Sequence, residues 1–387
     1  MVSDLTPEWL SARLGRAVAG FHITTLDGGV MSDTFKFGSI TYRDPQHDAP
    51  KSVVVKIASS VPELRAFGMS AHIYNKELNF YRHLAHDVPI RAPMLYACGT
   101  DGSEESEFFY ILMEDLTIHS KVFDQVDDPP DGAFARKLAL DCARLHAKYW
   151  NSEAIRAPWL GGNGSRYNFA GEALSRQVAE LWPSFRTSYE TVYGHDFFAT
   201  GDFGSLETMI GQLCGPDSLA IYDRMIDILS SRPRTLVHGD MRADNVFRSN
   251  PALGRSVEDS VLTFVDWQAL HAGPAGMEFD QAWFSSLEPE VRRNDLAYLG
   301  EYHASLVALN PDAAAYTYDM LLEDYRIGCC IWLMLLISLA TGAFPTFHLP
   351  EQARAKALWG NCFRRIRFAM LELDCPMLIA RLAAEVG

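Results

Sequence analysis

Residues 236–247 read LVHGDMRADNVF, and residues 261–268 read VLTFVDWQ. The apolar letters of both runs predict short β-segments that present oxygen-bearing side chains at their ends. The first run delivers Asp240 and, five residues later, Asn245, and the second delivers Asp266. One acid that can act as a base, with an amide and a second acid that can hold a hard cation, is the combination that phosphoryl transfer from a nucleotide needs.

The spacing H-G-D-x-x-x-x-N, followed by D-W-Q, resembles the motifs of the aminoglycoside phosphotransferase-like family, the small-molecule relatives of protein kinases. Protein kinases carry H-R-D-x-x-x-x-N and D-F-G instead. Gly239 in place of Arg indicates the small-molecule branch. The text of residues 273–284, GPAGMEFDQAWF, is most similar to ecdysteroid-kinase-like and related bacterial phosphotransferases. The resemblance extends over about residues 26–284.

This resemblance implies an α+β, bilobal, protein-kinase-like fold. Residues 1–116 are then expected to form an N-terminal nucleotide-binding lobe of antiparallel β-strands with one helix. Residues 117–387 are expected to form a larger, mainly helical lobe for catalysis and substrate binding. A chain of 387 residues can bury a core of the size that such lobes require.

A lysine interrupts an apolar strand near the N-terminus. Residues 52–58 read SVVVKIA, and a charge inside such a run is costly unless it is paired or used. Residues 62–84 follow as one predicted helix that contains Glu77. The resemblance implies that Lys56 grips the α- and β-phosphates of the nucleotide and that Glu77 is its ion-pair partner. An edge-strand lysine with a solvated helix glutamate is the alternative.

A glycine-containing turn joins strands predicted over residues 21–26 and 35–42. Glycines let the backbone approach phosphates closely, and a serine hydroxyl can donate to them. The turn, DGGVMSDT over residues 27–34, is therefore a candidate nucleotide-covering loop, although it lacks G-x-G-x-x-G and also fits a plain hairpin. Its candidate phosphate contacts are Gly28, Gly29 and Ser32.

Residues 108–113 read FFYILM, a buried strand that ends in Glu114-Asp115-Leu116. This segment resembles the hinge between the two lobes of the family. The resemblance implies that backbone groups read the edge of the adenine ring. These groups are the Glu114 carbonyl and the Leu116 amide, with Met113 packing behind the base.

The resemblance also gives the polar residues of the central stretch their roles. Asp240 is expected to accept the proton of the acceptor hydroxyl or to orient that hydroxyl towards the γ-phosphorus. Asn245 and Asp266 are expected to hold Mg²⁺ on the phosphates. One amide with one carboxylate suits this ion, which takes its other ligands from phosphate and water.

Other polar residues receive structural interpretations. His238 is expected to form hydrogen bonds with nearby backbone groups. Asp280 is expected to brace the catalytic segment through hydrogen bonds. His146, which lies in a predicted helix, is expected to be a packing residue. Arg242 and Asp244 lie between the base and the amide ligand. They either pair with each other or contact the substrate, and the sequence does not decide between these roles.

The composition restricts the partners and the site types. The formal net charge of −15 argues against nucleic acid and anionic membranes, because both require basic patches on the protein. It favours a cationic or neutral acceptor, although improved solubility is the simpler explanation. The seven cysteines show no repeated spacing, which argues against a disulfide framework and against zinc sites.

Two segments bear on localisation. Residues 1–15 contain acids and lack an apolar signal core, so secretion is not expected. Residues 327–344 are apolar enough to raise the question of a membrane span. They contain Gly328 and Ser338 and are followed by Pro345, so the prediction is a buried helix, with Cys329 and Cys330 in the core, and a cytoplasmic protein.

The acceptor wall is expected, by the resemblance, in residues 171–211 and in the C-terminal helices. Aromatic residues there favour an apolar acceptor, whereas the net negative charge favours a cationic one. Arg364, Arg365 and Arg367 either meet an anionic acceptor or, as predicted here, lie on a solvated helix face.

Together these features predict an ATP-dependent kinase that phosphorylates a hydroxyl of a small molecule, such as a natural product, a steroid-like compound or an amino alcohol. Two alternatives stay open, an antibiotic kinase for aminoglycosides or macrolides and a nucleotide-binding pseudokinase that serves as an interaction module. A protein kinase is not expected, because the sequence has no recognisable A-P-E segment. The acceptor, the choice between ATP and GTP and the oligomeric state do not follow from the sequence.

Overall fold

The structure of the protein is a computed structural model. It describes residues 4–26, 31–44, 48–100, 109–160, 171–193, 204–249, 260–338 and 353–387. These residues form an N-terminal lobe built on one β-sheet and a larger lobe composed mainly of helices. The predicted α+β organisation in two lobes is thereby confirmed, and the boundary at residue 116 stays a prediction.

The N-terminal sheet has five antiparallel strands in the order β1-β2-β3-β5-β4. Their bounds are Val18–Leu26 (β1), Ser32–Tyr42 (β2), Val53–Ala58 (β3), Leu95–Thr100 (β4) and Phe109–Glu114 (β5). Because β3 is the central strand, both of its faces are buried, and this explains its continuous apolar sequence.

Helix α1 (Pro7–Leu14) covers one face of this sheet. The hydroxyl of Thr6 accepts a hydrogen bond from the Trp9 amide at 3.2 Å, and so Thr6 caps the helix as its sequence predicts. Val53, Val55 and other side chains on this face of β3 form a separate core beneath α1. The opposite face of β3 therefore points away from α1, towards the helical lobe.

The single helix predicted over residues 62–84 is wrong. The chain forms α2 (Pro62–Ser70), α3 (Ile73–Asn79) and a π-helical turn, Phe80–Leu84. His72 between α2 and α3 adopts a left-handed conformation with φ 56°, which ends the first helix. The ring of Tyr74 then packs so closely on Gly68 that a side chain there would overlap it.

Ten further α-helices follow in the described part of the larger lobe. They are α4 (Gly132–Tyr149), α5 (Gly171–Tyr193), α6 (Gly204–Leu213), α7 (Ser218–Ser230), α8 (Phe279–Ala282), α9 (Pro289–Arg292), α10 (Asp295–Leu309), α11 (Tyr318–Ser338), α12 (Ala353–Glu372) and α13 (Cys375–Val386). Helices α4 and α10 pack against each other. Cys329 and Cys330 are fully buried in α11, as predicted. Among the described helices, none has the length and apolarity that a membrane span needs.

Short strands bring the two motif segments together. Strand β7 (Thr235–Val237) pairs with β10 (His271–Gly273), and β8 (Val246–Ser249) lies between β6 (Ser120–Lys121) and β9 (Thr263–Phe264). Of the β-segment predicted within residues 261–268, only the two residues of β9 form a strand. Val261, at the start of that run, is half exposed. The pairing of β8 with β9 still places Asp266 next to the loop that follows β7.

The prediction of a solvated arginine face on α12 is wrong for Arg365. Its side chain is fully buried, and its guanidinium donates to the Gln125 carbonyl at 2.6 Å, to Glu288 Oε1 at 2.6 Å and to the Ser285 carbonyl at 3.3 Å. Helix α12 packs on α9, beside Glu288. The carboxylate and the two carbonyls compensate the burial of the charge.

Candidate active site

Lys56 lies on the face of β3 that is turned towards the helical lobe. Val54 and Ala58, on the same face, belong to the large core that extends into that lobe. The Nζ atom of Lys56 lies 2.6 Å from Glu77 Oε2 on α3 and 2.6 Å from Asp266 Oδ1 after β9. The structure therefore joins three sequence-predicted residues from separate elements in one ion-pair cluster.

The electrostatics of this cluster depend on burial. Burial alone would lower the pKa of Lys56, but the carboxylates of Asp266 and Glu77 outweigh it and hold that pKa above its ordinary value. Burial raises the pKa of Glu77 to about 7. Burial acts on Asp266 in the same sense, yet the charge of Lys56 outweighs it and keeps the pKa of Asp266 below its ordinary value. Lys56 is thus a permanent cation held between two acids.

The predicted catalytic loop, residues 238–245 after β7, is held by Glu278, a residue about which the sequence made no prediction. The buried carboxylate of Glu278 accepts hydrogen bonds from the backbone amides of His238 at 2.8 Å and Gly239 at 3.1 Å. His146 packs behind it, with Nε2 3.4 Å from Glu278 Oε2 and Nδ1 2.7 Å from the Tyr302 hydroxyl. His146 is fully buried, in agreement with its predicted packing role.

His238 connects the two motif segments through its ring. The Asp240 amide donates to its Nδ1 at 3.2 Å, so the ring proton resides on Nε2. Nε2 then donates to the Val265 carbonyl at 3.0 Å, next to Asp266. His238 therefore binds nearby backbone, as the sequence predicts.

Asn245 and Asp266 are placed by two different backbone features. The Nδ2 atom of Asn245 donates to the Asp240 carbonyl at 2.8 Å, which folds the loop around the proposed base. Asp266 has φ 65°, a left-handed conformation that Asp tolerates better than most residues. Gln268 Nε2 donates to its second carboxylate oxygen at 3.2 Å.

The structure shows one of the two roles that the sequence left open for Arg242 and Asp244, their pairing with each other. Its Nε atom lies 3.1 Å from Asp240 Oδ1, and its Nη1 atom lies 3.8 Å from Asp244 Oδ2. The charge of Asp240 holds the pKa of Arg242 above its ordinary value. Gln125 Nε2 in turn donates to Asp244 Oδ1 at 2.6 Å. Arg242 thus pairs with the proposed base and with Asp244 together.

Aromatic stacking links the Glu77 helix to the two motifs. The rings of Phe80 and Trp267 lie parallel, with centroids 3.9 Å apart, and Trp267 also contacts His238 at 4.4 Å. The indole nitrogen of Trp267 donates to the Phe264 carbonyl at 3.0 Å. Phe80 follows α3 directly and Trp267 follows Asp266 directly, so this buried stack packs the end of α3 against the segment that carries Asp266.

The predicted hinge follows β5. Met113 and Leu116 are buried, and Tyr81 contacts the Met113 sulfur at 3.7 Å. Asp115 accepts hydrogen bonds from Ser52 and, at 3.0 Å, from the Thr117 amide, and it pairs with Lys36 Nζ at 2.8 Å. These contacts tie the predicted hinge to β2 and to the residue that precedes β3.

The glycine loop is placed only in part. Gly28 and Gly29 lie outside the described residues, and Ser32 begins β2, where it is buried. Ser32 pairs with Ala58 across the sheet, two residues after Lys56. The roles of this loop in phosphate binding stay predictions.

Glu278 and Gln125 are two residues of the site that the sequence did not predict. Glu278 lies two residues before Asp280, the acid to which the family resemblance drew attention. Asp280 is buried in α8, and its bracing role stays a prediction. Gln125 lies in an acid-rich connector, residues 124–132, which contains no motif. Its 2.6 Å contact with Asp244 is therefore apparent only in the structure.

The comparison with protein families decides the classification. The model of the phosphotransferase enzyme family matches residues 22–316. The chain belongs to the phosphotransferase enzyme family. As a member, the protein is a small-molecule phosphotransferase. Helices α12 and α13 of this phosphotransferase lie beyond the matched residues. None of the curated proteins matches the chain.

Three solved structures are similar to this phosphotransferase to different degrees. A Ralstonia eutropha JMP134 protein, provisionally described as an aminoglycoside phosphotransferase, is 12% identical with a TM-score of 0.52, over 95% of this chain and 97% of that one. A Plasmodium vivax ethanolamine kinase has 12% sequence identity and a TM-score of 0.40, over 89% of this chain and 84% of that chain. A microcompartment-associated aminopropanol kinase has 13% sequence identity and a TM-score of 0.43, over 94% of this chain and 95% of that chain. The first likeness confirms the predicted kinase-like fold.

Proposed function

We propose that this phosphotransferase transfers the γ-phosphate of ATP, with Mg²⁺, to a hydroxyl group of a small molecule. The observation that carries the proposal is the pair of 2.6 Å contacts by which Lys56 joins Glu77 to Asp266. A buried, permanently charged amine beside a loop with a base and an amide is the arrangement that phosphoryl transfer uses.

Lys56 is proposed to bind the α- and β-phosphates. Its contact with Glu77 fixes the direction of the ammonium group, and phosphate oxygens would replace Asp266 as its second anionic partner. Because the site is buried, this interaction is screened little by solvent. The hinge is proposed to bind the adenine through the Glu114 carbonyl and the Leu116 amide, with Met113 behind the base.

Asn245 and Asp266 would hold the metal ion. Within the described residues, no group of three His, Cys, Asp or Glu side chains is arranged to bind a metal by itself. One carboxylate and one amide therefore fit an ion that arrives with the phosphates and keeps water ligands, as Mg²⁺ does. The ion would neutralise the charge of the phosphate oxygens.

Asp240 is proposed to orient the acceptor hydroxyl and to receive its proton. Its carboxylate is largely buried and is held by Arg242, so its position is defined before the acceptor binds. Alignment of the hydroxyl with the γ-phosphorus supplies much of the rate in such a reaction. A natural product, a steroid-like compound and an amino alcohol are the acceptor classes that the proposal includes.

The first experiment measures ATP consumption with Mg²⁺ against ethanolamine, choline, kanamycin, a macrolide, a sterol and small alcohols. We expect acceptor-dependent turnover that falls at least about 100-fold in Asp240→Asn, because the base is lost. Asp223→Asn is the matched control, since Asp223 is exposed on α7. Its turnover should equal that of the wild type.

Other outcomes point to the alternatives. Turnover confined to kanamycin or the macrolide would assign an antibiotic kinase. ATP binding without turnover on any acceptor would favour a pseudokinase. If the protein does not bind ATP even with Mg²⁺, the roles proposed for Lys56, Asn245 and Asp266 are wrong.

A further inference from the structure

Helix α12 lies beyond the residues that match the phosphotransferase family, yet a series of contacts through Gln125 links it to the catalytic loop. The series begins at the fully buried Arg365. The Nη2 atom of Arg365 donates to the backbone carbonyl of Gln125 at 2.6 Å. A buried guanidinium with several partners is a rigid anchor, so the position of Gln125 is set by α12.

Gln125 extends this anchor to the catalytic loop. Its side chain is buried, and its Nε2 atom donates to Asp244 Oδ1 at 2.6 Å. Asp244 would otherwise be free to rotate, because about a third of its side chain is exposed. The hydrogen bond from Gln125 therefore selects one orientation of the Asp244 carboxylate.

The last links lead to the proposed base. The other oxygen of Asp244 lies 3.8 Å from Arg242 Nη1, and Arg242 Nε lies 3.1 Å from Asp240 Oδ1. Cys362 lies on the same helix as Arg365. Burial raises the pKa of its thiol to about 12, and the charges of Arg365 and Arg242 oppose the rise.

We propose that Gln125 and Asp244 are positioning residues through which α12 sets the place of Arg242 and, with it, of the Asp240 carboxylate. This inference rests on the proposed function, in which Asp240 is the base. By this proposal, helix α12 contributes to the geometry of the active site although it lies outside the residues that match the family. Neither residue touches the acceptor or the nucleotide in this proposal.

The physical reason is the balance of charges around Arg242. One guanidinium is shared by two carboxylates, and the anchored position of Asp244 determines how closely Arg242 approaches Asp240. When Asp244 loses its anchor, the guanidinium shifts and the base shifts with it. A displacement of about 1 Å at a reacting group can cost about 100-fold in rate.

The test is Gln125→Leu, which removes the side-chain donor and keeps the backbone carbonyl for Arg365. We expect kcat for the best acceptor of the panel to fall about tenfold to 100-fold. The KM for ATP should stay within about twofold, because the nucleotide groups are not displaced. Gln125→Asn is the conservative variant and should recover part of the lost kcat.

Arg354→Gln is the matched control. Arg354 joins the same helix to the same connector through exposed pairs with Asp124 and Asp127, outside the proposed chain of contacts. Its kcat should equal that of the wild type. A double-mutant cycle completes the test, since Gln125→Leu should have little further effect in an Asp244→Asn background.

The outcomes separate the two proposals. Wild-type turnover with an unchanged kcat in Gln125→Leu overturns the positioning role and leaves the proposed function intact. Independent, multiplying effects of Gln125→Leu and Asp244→Asn overturn it too. If Gln125→Leu and Arg354→Gln both lose kcat in proportion to their loss of melting temperature, the contacts of Gln125 serve only helix packing, and the positioning role is overturned. The absence of turnover in the wild type overturns the proposed function and this inference with it.

Discussion

Gly239 shows how one residue determines the geometry of the catalytic loop. Its backbone has φ 79°, and a Cβ atom there would lie 2.6 Å from the Ala269 carbonyl oxygen and 3.0 Å from His271 Nδ1. Both features favour glycine, the first through backbone conformation and the second through close approach. Protein kinases carry Arg at this place of the motif.

The substitution Gly239→Ala is therefore expected to lower the free energy of unfolding by about 1–3 kcal/mol and to abolish turnover. Urea unfolding and the ATP assay measure the two effects. Gly300→Ala is the control, because nothing lies within 4 Å of a Cβ atom at this position of α10. It should raise stability by about 0.5–1 kcal/mol. Equal stability of Gly239→Ala and the wild type would contradict the account.

At the scale of elements, Asp324 fastens α11 to the residues around it. Its buried carboxylate accepts hydrogen bonds from the Tyr316 hydroxyl at 2.6 Å and from Arg232 Nε, after α7, at 2.9 Å. Burial still raises the pKa of Asp324 to about 6, because these contacts compensate only part of the lost hydration. The attachment of α11 therefore depends on pH.

Between about pH 4, the ordinary range of an unfolded Asp, and pH 6, folded Asp324 binds more protons than unfolded Asp324. The free energy of unfolding that Asp324 contributes should fall as the pH rises through this window, by about 3 kcal/mol in all, and stay constant above it. The measurement compares urea unfolding of the wild type and Asp324→Asn from pH 4 to pH 8. Dilute protein is required, since the isoelectric point is about 5.2. A wild-type advantage that grows with pH would contradict the prediction.

At the scale of the whole molecule, Arg91 joins the two lobes near the predicted hinge. Its Nη2 atom donates to Glu114 Oε1 at 2.6 Å, and its Nη1 atom donates to Thr263 Oγ1 at 2.7 Å. The Arg91 carbonyl also accepts from the Phe264 amide at 2.8 Å. Arg91 thereby connects the end of the N-terminal sheet to β9, the strand that precedes Asp266.

Arg91→Met should weaken ATP binding about tenfold, because the hinge and Asp266 lose their common support. Titration with ATP measures the affinity, and hydrogen exchange at the Phe264 amide should become faster. Arg136→Met removes an exposed pair with Glu301 and should change neither quantity. Unchanged affinity in Arg91→Met would show that the lobes are held by other contacts.

The chemistry of the site was visible in the sequence because its residues are marked by local pattern. Lys56 interrupts an apolar strand, and Asp240, Asn245 and Asp266 stand at fixed spacing after apolar runs. Such features follow from the backbone period and from the cost of a charge in a core. The family and the two-lobed fold could be predicted from them. The roles of the individual site residues stay predictions until they are tested.

The tertiary structure decided which side chains contact each other and where a predicted helix breaks. The sequence by itself determined which residues carry charge in apolar surroundings, but not that Glu278 holds the catalytic loop or that Arg365 is buried against Gln125. It also did not show that the helix expected over residues 62–84 breaks at His72. The physical reason is that pairing and burial depend on which elements pack together across the chain. Many acids and arginines have the same local pattern, and only packing selects among them.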